Sequence, residues 1–218
     1  MKNLILAAFF ALPFLTAQAQ EAPKLYTLPS PYERYTHYLA TVRLTGAMPV
    51  GSFANLYIDK ASIKNYSISL EWVFRNAISV GGEIGSSYFQ KRLPRAIYQS
   101  GEQTLSAVQT RTFSQTPIQA FVNYHFLPKA STIQPYVQLS GGVSIVDYSL
   151  YYGSLVEQRQ KTAPAYGVGL GSKFLFKRDG SFGADVRVKY QATTFKYDYV
   201  EKGAASVNGS IGIFYRWW

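Results

Sequence analysis

The chain has no cysteine. That excludes disulfide staples, thiolate metal sites and cysteine nucleophiles. It has two histidines, His37 and His125, far apart in sequence. Such a pair gives little support to a histidine-based metal site. Acidic residues are scarce: 12 Asp and Glu stand against 22 Lys and Arg, a formal charge of +10. The imbalance favours contact with anionic surfaces, although local pairing and solubility account for it equally well. Beyond the N-terminus no apolar run is long enough for a membrane helix. Yet hydrophobic residues make up 47% of the chain, with 18 Tyr and 14 Phe, which argues against disorder.

What is present begins with an export pattern. Met1-Lys2-Asn3 is a short positive start, Leu4 to Leu15 is apolar, and Ala17 and Ala19 are small. This predicts a secretory signal peptide over residues 1–19, cut after Ala19. Residues 20–37 contain Pro23, Pro29 and Pro31 and are expected to form an extended periplasmic tail. The tail is free, packed on a rim or inside a lumen; the residues do not choose. Residues 38–218 carry strand patterns throughout.

The last stretch sets the pattern. Ile211, Ile213, Tyr215 and Trp217 alternate with Ser210, Gly212, Phe214 and Arg216. Period two means a strand with two unlike faces. Seven further runs behave alike: Tyr38–Gly46, Ile63–Phe74, Ala77–Phe89, Pro117–Phe126, Gln134–Val146, Ala165–Phe176 and Ser181–Thr193. Each is near the ~9–11 residues with which a tilted strand crosses a bilayer. Short connections (Arg75-Asn76, Leu127–Thr132, Lys177–Gly180) alternate with long ones (Ala47–Ser62, Gln90–Thr116, Asp147–Pro164, Thr194–Ser206). Outer-membrane barrels show that alternation, with short turns on the periplasmic side. The expected fold is all-β: an eight-stranded antiparallel transmembrane barrel in an up-and-down meander. A soluble lipocalin-like barrel is the competing fold, and it would put the apolar faces inside. The charges share the polar face with glycines, as in a crowded narrow lumen. With the export signal, this favours the membrane barrel.

The features resemble the small eight-stranded outer-membrane barrels, in particular the outer membrane protein β-barrel domain of Bacteroidetes. The likeness rests on Ala17-Gln18-Ala19-Gln20, on the first strand running into Gly46-Ala47-Met48-Pro49-Val50-Gly51-Ser52-Phe53, on repeated Gly-x-Gly strands and on the aromatic terminus. It implies residence in the outer membrane of a Gram-negative bacterium. It also implies that the barrel-assembly machinery recognises the last strand. Trp72, Tyr215, Trp217 and Trp218 are the candidates for an aromatic girdle and C-terminal assembly signal. Trp218 departs from the pattern, because it shares parity with Arg216 rather than with Trp217.

Nine residues are predicted to point inward as a polar network: Arg43, Glu71, Glu83, His125, Lys173, Asp185, Arg187, Lys189 and Arg216. Strand order sets Arg43 beside Glu71, and Asp185 and Arg187 beside Arg216. Side chains fill the interior of an eight-stranded barrel, so a plug of paired charges is favoured over an ion gate. Towards the long loops the inward residues (Ser67, Ser86, Ser140, Ser144, Gly167) are small or neutral. A shallow outward-facing cavity for a small ligand is therefore one alternative, and a narrow channel for small solutes is another.

Catalysis is not expected. The sequence around His125 offers no nucleophile, and the long loops contain no His. The glycines of Gly167-Val168-Gly169-Leu170-Gly171 lie within a strand, not before a helix, so they form no phosphate loop. No cofactor motif appears, and nucleic acid is an unsuitable partner for an exported barrel. The candidate contacts are Lys91, Arg92, Arg95, Tyr98, Arg111, Arg159 and Lys161 in the long loops. They suit outer-membrane lipid and lipopolysaccharide phosphates, or adhesion, although loop charges can be merely solvating. The expected protein is a monomeric, non-enzymatic barrel with a role in envelope integrity or surface interaction.

Overall fold

A computed structural model describes Tyr32 and residues 35–100, 103–127, 131–153, 155–177, 179–197, 200 and 203–218. The predicted signal peptide, most of the tail and the Tyr98 side chain lie outside the described residues.

The strands are β1 (His37–Val50), β2 (Ser62–Val73), β3 (Ile78–Ser100), β4 (Gln103–His125), β5 (Ile133–Tyr152), β6 (Leu155–Leu175), β7 (Phe182–Thr193) and β8 (Ala204–Trp217). A short helix α1 (Gly51–Leu56) follows β1. Each strand pairs antiparallel with its neighbour, and β1 closes on β8, giving a barrel in the order β1 to β8. The period-two pattern is what closes it. The apolar positions of β8 (Ile211, Ile213, Tyr215) are exposed, whereas Ser210, Gly212, Phe214 and Arg216 are buried. The same parity holds in β1, where Val42 and Leu44 are exposed and Thr41 and Arg43 buried. A barrel turned this way presents hydrocarbon outward, so its outer face suits lipid rather than water.

Five aromatic contacts run around the outside at the short-turn end. Phe182 lies 5.0 Å from Tyr215, Tyr215 is 5.7 Å from Trp217, and Trp217 is 5.8 Å from Tyr38. Tyr38 lies 5.9 Å from Trp72, and Trp72 is 5.1 Å from Phe74. Trp218 is not part of this row. Its odd parity carries it towards the barrel mouth, where its ring sits 5.0 Å from Tyr32.

Two of the expected long loops are largely strand. β3 and β4 have 23 residues each, and β5 and β6 have 20 and 21. At ~3.3 Å per residue, these strands far outreach a bilayer crossing. Lys91, Arg92, Arg95 and Arg111 lie on β3 and β4, and Arg159 and Lys161 on β6. The alternation fades there for a physical reason. Beyond the apolar belt neither face needs to be uniformly apolar, so the ladder continues without the pattern that reveals it. The register also shifts between Arg92 and Arg95, which breaks the period locally.

Candidate functional site: a lumen closed in layers

The interior is built in layers, starting at the short-turn end. The first is a floor. Tyr32 is buried, its ring lies 5.2 Å from His37, and the Arg216 guanidinium sits 3.6 Å above it. Arg216 also donates to the Gly180 carbonyl at 2.7 Å. Tyr32 therefore stands at the barrel mouth. The expected proximity of Arg216 to Asp185 does not form, because Arg216 stands near the strand end and Asp185 pairs with Gly212 further in. Leu39, Val73, Leu175 and Phe214 form the next layer.

Above it lies the charged layer, in two knots. In the first, Lys173 Nζ reaches Glu71 Oε1 and Oε2 at 2.7 and 2.6 Å. Ser79 and Asn123 also donate to Glu71, at 2.5 and 3.0 Å. His125 Nε2 lies 3.5 Å from Glu71 and 3.1 Å from Ser79 Oγ. In the second knot, Arg43 Nε donates to Asp185 at 2.5 Å and its Nη1 to Ser69 at 2.7 Å. Tyr136 donates to the other oxygen of Asp185 at 2.9 Å. Glu83 accepts from Arg187 at 2.5 Å, from Lys189 at 3.0 Å and from Arg43 at 3.4 Å. Arg187 and Lys189 then donate to Gln138 and Gln119.

The predicted inward residues other than Arg216 thus meet in this layer, but not all with the expected neighbours. Arg43 pairs with Asp185 and Glu83, not with Glu71. The register explains the difference. Arg43 stands opposite Gly212 on β8, and Gly212 stands opposite Asp185 on β7. With no side chain between them, the arginine reaches across β8 to the aspartate. Gly171 does the same for Tyr136, which crosses it from β5.

Sequence reasoning missed Tyr136, Ser79, Asn123, Gln138 and Gln119. Tyr136 and Gln138 were visible as inward positions, but nothing marked them as partners of particular charges. Ser79 became a neighbour of His125 only through the β3–β4 pairing. A Ser–His–carboxylate set therefore exists in space. Its geometry differs from that of a triad: one histidine nitrogen, Nε2, faces both the serine and the glutamate, and all three groups are buried. His125→Ala is expected to lower stability by about 1–3 kcal/mol, measured by urea unfolding in lipid vesicles. Loss of a lipid- or peptide-hydrolysing activity in the same variant would contradict a purely structural role.

The upper layer is aromatic. Phe53 and Tyr57, four residues apart at α1, turn inward against Phe89, Phe113 and Tyr148. Phe53 lies 4.8 Å from Phe113, and Tyr57 stacks on Tyr148 at 4.8 Å. Phe195 joins from the segment after β7. Arg111 secures this plug, because its Nη1 donates to the Leu56 carbonyl at 2.8 Å and its guanidinium lies 5.6 Å from the Tyr57 ring. The plug therefore covers the outward side of the expected shallow cavity. Ser86 also faces the other way, paired with the exposed Tyr66, and Ser87 takes the inward place. Phe113→Ala would hollow the plug and is expected to cost about 3–5 kcal/mol, read as a lower unfolding midpoint in the same vesicles.

The long-hairpin end carries mostly cations. Arg92, Arg95, Arg159 and Lys161 are exposed there. Lys91 is tied to Asp59 at 3.0 Å, a hydrogen bond that holds the Asp59 carboxyl below its ordinary range. Arg159 lies 5.4 Å from the Tyr197 ring. Among the described residues, the carboxylates at this end are Asp59, Asp147 and Glu157.

Similar architecture appears in solved structures. Ail, the attachment invasion locus protein of Yersinia pestis, crystallised with the heparin analogue sucrose octasulfate, superposes with a TM-score of 0.50 at 13% identity, covering 84% of this chain and 99% of that one. Neisserial surface protein A gives 0.48 at 15% identity, covering 83% and 96%. The outer membrane protease OmpT from Escherichia coli gives 0.43 at 8% identity, covering 88% and 99%. No protein-family model and no curated protein matches the chain, so the finer likeness to the Bacteroidetes domain finds no support. The fold is that of the eight-stranded outer-membrane β-barrels.

Proposed function

We propose that the protein is an integral outer-membrane barrel of a Gram-negative bacterium that conducts no solutes and works through its cell-surface end. In this reading the short turns face the periplasm, and the β3–β4 and β5–β6 hairpins stand outside. The supporting observation is the closed interior: a floor at Tyr32, a layer of ion-paired charges and an aromatic plug occupy successive levels. An interior so filled leaves the outer surface as the working part. That surface is the cationic sheet bearing Arg92, Arg95, Arg159 and Lys161, suited to phosphate or sulfate groups of surface saccharides. The heparin analogue bound to Ail is a polyanion of the same chemistry. No step of catalysis is assigned.

The test is binding of lipopolysaccharide and of sucrose octasulfate to the purified barrel at several salt concentrations. The triple variant Arg92→Ala, Arg95→Ala, Lys161→Ala is expected to weaken binding about tenfold or more, with a shallower salt dependence, because exposed cations bind polyanions mainly through screened attraction. Unchanged affinity in the triple variant would reject the cationic sheet as the contact surface.

A further inference from the structure

The charged layer is not neutral. Arg43, Lys173, Arg187 and Lys189 face Glu71, Glu83 and Asp185. Lys173 is closed on Glu71. The excess positive charge therefore sits in the second knot, where Arg43, Arg187 and Lys189 share Glu83 and Asp185. All five of these side chains are more than nine-tenths buried. An uncompensated charge in such a place is costly.

Beside this knot, on the side of the aromatic plug, lies a cavity of ≈ 20 Å³. Thr45, Ser67, Glu83, Arg187, Gln191 and Asn208 line it. Three of the lining residues, Ser67, Arg187 and Gln191, each carry a donor (Oγ, Nε and Nε2) with no partner among the described residues, and each is more than nine-tenths buried. The Asn208 amide is also unpartnered through its oxygen, and rotation of that amide would present its nitrogen instead. Glu83 offers little repulsion, because both its oxygens already accept from cations. The walls thus combine free donors with surplus positive charge. A water molecule accepts at most two hydrogen bonds and would also leave the charge. The space is close to that of one water, which favours a monatomic ion over a polyatomic oxyanion.

We propose that this cavity is a binding site for one monatomic anion, chloride or bromide, which completes the charge balance of the lumen. The anion accepts from Ser67, Arg187 and Gln191 and lies next to the Lys189 side chain. The site is structural: it sits below the plug, and the bound ion ties β2 and β7 together beside the Glu83 knot.

Two readouts test it on the full-length barrel folded in detergent. The first is diffraction from crystals soaked in sodium bromide, collected at the bromine edge. An anomalous peak among Ser67, Arg187 and Gln191 is expected. The second is the temperature at which the compact electrophoretic band converts to the unfolded one, in chloride against gluconate at equal ionic strength. That temperature is expected to rise by about 3 °C for each tenfold increase in chloride above the dissociation constant, as linkage requires of a bound ion. Asn208→Asp places a carboxylate on the cavity wall. In that variant the bromide peak and the chloride dependence are both expected to vanish while the compact band persists. No bromide peak in the unmodified barrel, with equal conversion temperatures in chloride and gluconate, would overturn the proposal. The cavity would then hold water alone.

Discussion

Glu83→Ala is expected to be the most damaging single change to the polar interior. Its carboxylate is shared by Arg187, Lys189 and Arg43, and all three side chains are buried. Removing it leaves Asp185, already held by Arg43 and Tyr136, as the remaining anion of that knot. Breaking one buried ion pair costs about 3–5 kcal/mol, because the surviving charge loses its compensation. Here three cations lose a partner at once, so the loss should reach the upper end of that range. Urea unfolding in lipid vesicles, followed by tryptophan fluorescence, measures it. Glu83→Gln keeps the shape and two acceptor lone pairs but not the charge, and should fall between the native barrel and the alanine variant. Equal midpoints for all three proteins would mean that the knot contributes packing alone.

Gly212→Val should be at least as severe, for a reason that concerns space as well as charge. A Cβ at this position would stand 2.4 Å from the Val42 carbonyl oxygen and 2.7 Å from Arg43 Cγ. Neither approach is tolerated. The backbone cannot withdraw without breaking the β8–β1 ladder, so Arg43 must leave its path to Asp185. Overpacking of this kind costs about 1–3 kcal/mol, and the displaced ion pair adds about 3–5 kcal/mol. Gly209, three residues earlier on the same strand, faces outward with nothing within 4 Å of its ideal Cβ. Gly209→Val is therefore expected to change stability by no more than about 0.5 kcal/mol. The pair of variants separates the inner face of β8 from the outer one. Similar losses at both positions would mean that the faces of β8 are misassigned.

Much of this architecture was legible because one property alternates with the backbone. The sequence placed Arg43, Glu71, Glu83, Lys173, Asp185, Arg187 and Lys189 on inward faces by parity alone, and they are buried there. Parity does not give register, however. Which cation meets which carboxylate depends on shear between strands and on where glycines clear a path, as Gly212 does for Arg43. The tall hairpins were hidden for the opposite reason. Lys91 and Arg92 interrupt the apolar series, yet the β3–β4 ladder passes straight through them. The plug was hidden because Phe53 and Tyr57 follow helical spacing after a strand, and Phe113, Tyr148 and Phe195 meet them only through tertiary folding. Trp218 shows parity working in detail: one residue beyond Trp217, it leaves the outer aromatic row and meets Tyr32 at the mouth.

Single-channel recording in planar lipid bilayers reads directly whether the barrel is closed along its length. No stepwise current is expected from the native protein at any holding potential, and none from Arg187→Gln either, since the floor and the aromatic plug remain in place. Discrete conductance steps from the native barrel, abolished when Arg187 or Glu71 is neutralised, would contradict that closure and make the charged layer the selectivity filter of a narrow channel.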